Sequence, residues 1–163
     1  MATVLQRIRR NHAIEHAALH MLAATMARPR LAARSDWAGV TFYGRADPAL
    51  LSQGLERALD ALRNGQRHLA VHPRCGSGLS VASLLAFLPM WATLRSIGPR
   101  HRILGTVIAF VSMISGLILA DPVGKATQAH LLTEPLVSDA HIVSIRSTHQ
   151  GPLAVSRVTI AHR

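Results

Sequence analysis

With one cysteine, Cys75, the chain cannot form an intrachain disulfide, and a lone thiol does not decide a compartment. Charge is scarce. Charged residues make up 16% of the chain and hydrophobic residues 49%, lean in charge for a wholly soluble protein. There is no phosphate-binding glycine loop, no Gly-x-Ser-x-Gly elbow and no pair of cysteines. Nucleotide, serine-hydrolase and all-cysteine zinc chemistry therefore lose their usual sequence support. The formal net charge of +10 invites a nucleic-acid reading, but Lys125 is the only lysine and the arginines are spread from Arg7 to Arg163. No basic run exceeds Arg9-Arg10, and no zinc-finger or RNP-like motif accompanies them. Such a distribution argues against nucleic acid as a partner and for anionic lipid headgroups.

Two long stretches lack ionisable side chains. Cys75 to Leu94 is twenty residues without Asp, Glu, Lys, Arg or His, and Ile103 to Ala120 is eighteen more. At about 1.5 Å per residue each helix crosses most of a hydrocarbon core roughly 30 Å thick. The loop between them, Arg95 to Arg102, holds Gly98, Pro99 and three arginines. This is the pattern of a transmembrane helical hairpin, with the lipid bilayer as its partner. A buried helical pair in a soluble α-bundle is the alternative. Pro89 is tolerable inside a membrane helix, and Trp91 suits an interfacial anchor. Residues 1–26 carry His12, Glu15 and His16 where the apolar core of a signal peptide would run. The expectation is that residues 1–74, with eleven arginines, stay in the cytoplasm and that both termini share that side of a bacterial inner membrane.

The remainder alternates helix and strand signals. Leu5, Ile8, His12, Glu15, Leu19, Leu22 and Met26 recur at three- and four-residue steps, which predicts a helix over 4–26 ended by Arg28-Pro29-Arg30. Gly39 to Gly44 reads as a glycine-bounded strand and Leu69 to His72 as another. Asp47-Pro48 is a helix start, with Leu51, Leu55, Leu59 and Leu62 as its apolar stripe and Gly65 as its stop. Asp121-Pro122 opens a further short helix to about Leu132. Ile142–Arg146 and Leu153–Ile160 predict a β-hairpin through His149-Gln150-Gly151-Pro152. The expected fold class is α+β: a small soluble domain built from residues 1–74 and 121–163, flanking a two-helix transmembrane hairpin at 75–120.

The candidate chemistry lies on the first helix. His12 and His16 stand one turn apart on one face, the spacing of two ligands to one metal. Glu15 falls in the apolar stripe, where a carboxylate is costly unless paired or close to a metal. His20 lies about 12 Å along the axis from His12, too far to share one ion directly. His-x-x-Glu-His is also the residue order of the inverted zincin peptidases, whose glutamate activates water; by that local likeness Glu15 is the candidate catalytic base. No later helical glutamate supplies a third ligand of that type. His72 and Cys75, in His72-Pro73-Arg74-Cys75-Gly76-Ser77-Gly78, have zinc-ligand chemistry and could complete a site with His12 and His16. A tight turn into the membrane, with Cys75 as a small buried residue, explains the same segment. The helix cluster itself reads as a site for zinc or another divalent transition metal, as a structural polar cluster, or as a haem ligand set. His101, His130, His141, His149 and His162 show no convergent spacing and read as surface or loop residues.

Arg10-Asn11-His12, Glu15-His16-Ala17 and His20, followed by His72-Pro73-x-Cys75-Gly76 just ahead of two apolar spans, resemble a family of small prokaryotic integral membrane proteins with no assigned function. The likeness extends to Leu31-Ala32-Ala33-Arg34-Ser35 and the strand after it. The resemblance implies the membrane architecture and supplies no activity, substrate or ligand set. Two functions follow from the residues: a metal-binding membrane protein, with hydrolysis as one use of the metal, or a non-catalytic scaffold or accessory subunit whose polar helix face packs against a protein partner or a second copy.

Overall fold

The computed structural model describes residues 2–26, 31–73, 75–98, 101–151 and 153–162. The chain is α+β, and its contacts divide it into two compact units, Met1–His72 with Ala129–Arg163, and Pro73–Gln128.

The first unit opens with helix α1, Val4–Thr25. Thr3 caps it: its hydroxyl accepts from the Gln6 amide while the Gln6 side chain accepts from the Thr3 amide, which satisfies two otherwise orphaned donors. The proposed stop at Arg28-Pro29-Arg30 lies outside the described residues. Strands β1 (Ala32–Asp36) and β2 (Gly39–Tyr43) form a hairpin, with Asp36 Oδ1 accepting from the Ala38 and Gly39 amides across the turn. A side chain at Gly39 would overlap the Val158 carbonyl, so the turn can only approach the neighbouring strand at a glycine. Helix α2, Pro48–Arg63, starts at the Asp47 cap with proline in its first turn and gives way to Gly65 at φ +83°, as the sequence indicates. A short 3-10 turn, Arg67–Ala70, follows. Strands β3 (Ala140–Gln150) and β4 (Leu153–His162) complete an antiparallel sheet of order β1-β2-β4-β3, so the N-terminal hairpin pairs with the C-terminal one through β2 and β4. Ile14, Leu22, Leu51, Leu55, Val40, Phe42, Val158 and Ile160 make the core.

Several expectations change. Leu69 to His72 is not a strand; its first half closes a 3-10 turn and the rest is extended chain beside α1. The sheet instead takes its fourth strand from Ala32–Asp36, whose Ala-Ala-Arg-Ser-Asp sequence carries no β-branched residue and so gives no strand signal. The buried face of α1 is also rotated from the expected stripe. Leu5 is 65% exposed and Ile8 36%, while Asn11, Ile14, Glu15, Ala18 and Leu22 turn inward with Ala13, His16 and Ala17. Alanines let α1 lie close to α2 and the sheet, which a scan for large aliphatic residues overlooks.

The second unit consists of helix α3, Gly76–Ser96, and helix α4, Arg102–Thr127. α4 does not end at Ala120. It runs through Asp121 and Pro122 and passes into a π-helical turn, Gln128–Leu132, so the separate short helix is absent. Pro122 is tolerated because α4 continues as one helix on either side of it. No α3 residue is buried, and in α4 only Gly105, Ala109, Gly116, Ala120 and Gly124 are. Small residues let the helices meet backbone to backbone: a Cβ on Gly116 would overlap the Leu85 carbonyl. Large apolar side chains cover the outward faces of both helices. Their hydroxyls are satisfied within each helix. Ser80, Ser83, Thr93, Ser96, Thr106, Ser112, Ser115 and Thr127 each donate to the carbonyl four residues back. Both helices are long and apolar enough to cross a membrane. Pro99, Arg100, Arg74 and Pro152, invoked for the inter-helix loop, the entry turn and the β-hairpin turn, lie outside the described residues.

Candidate metal centre

α1 presents His12, His16 and His20 at successive turns, with Glu15 beside them. Two chain segments bracket this face. The end of the 3-10 turn and the extended residue after it pass His16 and His20, and the last residue of the π-helical turn passes His12. His16 Nδ1 lies 2.7 Å from the Ala70 carbonyl oxygen, His20 Nε2 3.0 Å from that of Val71, and His12 Nδ1 3.2 Å from that of Leu132. A carbonyl oxygen only accepts, so in each pair the histidine nitrogen donates. A neutral ring bonded in this way keeps its lone pair on the other nitrogen: Nε2 in His12 and His16, Nδ1 in His20. His16 is 1% exposed, and its Nε2 is buried with no hydrogen-bond partner among the described residues. This pairing, one nitrogen fixed by a backbone carbonyl and the other presented, is how metal-binding imidazoles are held.

The rings form a file. His12 and His16 centroids are 4.3 Å apart, His16 and His72 5.8 Å, and His72 and His20 4.9 Å. Two imidazoles ligating one tetrahedral zinc at about 2.0–2.1 Å place their centroids roughly 5 Å apart, so neighbouring rings here stand near ligating separation. Glu15 is 6% exposed and makes no side-chain hydrogen bond or ion pair among the described residues. Arg10, the obvious arginine to neutralise it, is committed elsewhere. Its Nε bonds Glu134 at 3.2 Å and its Nη1 reaches both Asp139 oxygens at 3.0 Å. That ion cluster ties α1 to the chain ahead of β3 and leaves the Glu15 carboxylate for another cation.

Of the sequence-predicted residues, His12, His16 and His72 come together, with Glu15 buried on the same helix. Cys75 belongs to the second unit, where it precedes α3 and its Sγ lies 3.0 Å from Ser77 Oγ. His20, set aside on axial distance from His12, joins the file through His72. A second polar group was also missed. His162, expected at the surface, donates from Nε2 to Asn11 Oδ1 at 2.8 Å, and Asn11 donates to the Asp36 carbonyl at 2.7 Å. Burial pushes the His162 pKa below its ordinary value of 6.5, against the opposing pull of Asp139. Asp36 in turn is held below the usual carboxylate range, chiefly by a hydrogen bond from Arg157 at 2.7 Å. Nothing local in the sequence announces these pairings, and two of them, His162–Asn11 and Arg157–Asp36, join residues more than a hundred positions apart.

The fold and the site define a small α+β protein interrupted by an apolar helical hairpin, with three histidines on its first helix, His16 among them buried. A family model described as a domain of unknown function, DUF6391, matches residues 7–145, and the chain belongs to that family. An uncharacterised protein of Picosynechococcus sp. (strain ATCC 27264 / PCC 7002 / PR-6) is 36% identical over 87 residues, covering 48% of this chain and 42% of the relative. The chain thus spans less than half the length of that relative. No solved structure matches the chain.

Proposed function

We propose that this is a small membrane-anchored protein of the bacterial inner membrane whose soluble unit holds one divalent transition metal, zinc by the softness of its ligands. His12 and His16 bind through Nε2, and His72 stands beside His16. Glu15 provides negative charge for a cation taken out of water. One observation carries the reading: the His16 ring is buried, its tautomer is set by the Ala70 carbonyl, and its remaining nitrogen has no hydrogen-bond partner among the described residues. An apolar side chain would fill that position at lower cost unless the nitrogen had a ligand. The two apolar helices support the anchor, because their outward faces carry large hydrophobic residues that water would not tolerate in a contiguous patch.

The test is metal content. Protein purified in detergent from zinc-supplemented cells should carry close to one zinc per chain, and His16→Ala and His12→Ala should each lose it. A chain that folds and carries no metal, or a His16→Ala protein that keeps it, would contradict the reading. The first result would leave the histidine face to packing against a partner.

A further inference from the structure

The file of rings is longer than one ion needs. His12 and His20 are eight residues apart on α1, about 12 Å along its axis, so a single ion cannot reach both. His72 closes that gap: its ring stands 5.8 Å from His16 and 4.9 Å from His20. The His72–His20 separation matches the roughly 5 Å expected for two imidazoles on one tetrahedral ion. The backbone sets both ends in the same way. Consecutive carbonyls, Ala70 and Val71, accept from His16 and His20, so one extended segment orients two histidines a helical turn apart. His16 is the buried ring of the file, and His12, His20 and His72 to either side of it are partly open.

We infer that His20 and His72 form a second metal subsite at the rim of the first, through which a divalent ion is loaded onto and released from the His12–His16 pair. The inference rests on the metal-binding reading above and adds to it a direction of access and a role in metal exchange. His72 is the shared ring. It ligates with His20 at the rim and stands next to His16 inside. An ion can then pass from one pair to the next without returning to water. His20 acts through its Nδ1, since its Nε2 donates to Val71. The exchange moves no electrons; each ligand presents a lone pair to an ion that keeps its charge.

The experiment is zinc titration of the detergent-solubilised, metal-stripped full chain, followed by calorimetry for stoichiometry and by stopped-flow competition with a chelating dye for rate. The wild-type protein should show a tight event and a second, weaker one. His20→Gln keeps an amide donor for the Val71 carbonyl but offers no imidazole. It should lose the weaker event and load the tight site more slowly, with the tight stoichiometry unchanged. His20→Ala should behave alike, which separates ligand loss from loss of the Val71 contact. A single binding event in wild type, or His20→Gln with unchanged events and loading rate, would overturn the rim subsite while leaving the inner centre standing. Absence of any zinc binding would overturn both.

Discussion

A single backbone hydrogen bond gives His16 its meaning. If the Ala70 carbonyl did not fix Nδ1 as the donor, Nε2 could carry the proton, and the ring would be an ordinary buried polar side chain. Glu15 follows the same logic, because a buried carboxylate with no side-chain partner among the described residues calls for a cation. Glu15→Gln should therefore keep the zinc but bind it more weakly, as measured by competition with a chelator. If the glutamate has only a packing role, zinc affinity will not change and only stability will move, by about 1–3 kcal/mol. His162 makes a separate prediction about pH. Its folded pKa lies below the unfolded value of 6.5, so between the two the unfolded chain binds more protons. Stability should be full above about pH 6.5 and fall as acid carries the protein through the folded pKa. Urea unfolding should show this decline, and His162→Gln should show less of it; equal slopes would dissociate the decline from His162. Asp36, with its pKa held down, adds a loss of the same sign at lower pH. The sequence placed His12, Glu15 and His16 close together on one helix because i, i+3 and i+4 spacing is local. It did not show His20 joining His72, because that contact depends on where the chain runs after α2.

Elements were legible where a local rule dictates them. The capped start of α2 at Asp47-Pro48, its glycine stop and the C-terminal β-hairpin all follow from residues within a turn of one another. Leu69 to His72 misled because a short apolar run fits a strand or a turn equally well, and it is the packing of α1 that fixes the outcome. Asp121-Pro122 misled in another way. Aspartate and proline are a good helix start, yet proline also sits within a helix that is already under way, and α4 runs on through it. Packing of α3 on α4 gives a sharp test. A side chain at Gly116 would overlap the Leu85 carbonyl, whereas one at Gly124 would meet Gly78 Cα at an ordinary 3.6 Å. Gly116→Val should destabilise the helical pair by about 1–3 kcal/mol and Gly124→Ala should be close to neutral, read by thermal unfolding in detergent. Equal tolerance at both positions would mean the two helices do not meet along this glycine face.

For the whole molecule, an α+β unit assembled from both ends of the chain encloses, in sequence, a pair of helices whose outward faces are apolar. Composition made this much legible, since two charge-free runs either side of an arginine-bearing loop leave few alternatives. Membranes from cells expressing the protein should retain it through high-salt and alkaline washes and release it to detergent; release by salt alone would mean surface attachment through arginines. A periplasm-dependent reporter at the C-terminus should be inactive, because two spans return the chain to the side it started from and the arginine-rich N-terminal part favours the cytoplasm. The central claim is that this anchor carries a metal centre built on the first helix, and zinc-edge X-ray absorption on the purified protein tests it most directly. The account predicts a first shell that includes imidazole nitrogens at about 2.0–2.1 Å. A shell of oxygen alone, or one unchanged in His12→Ala and His16→Ala, would contradict it.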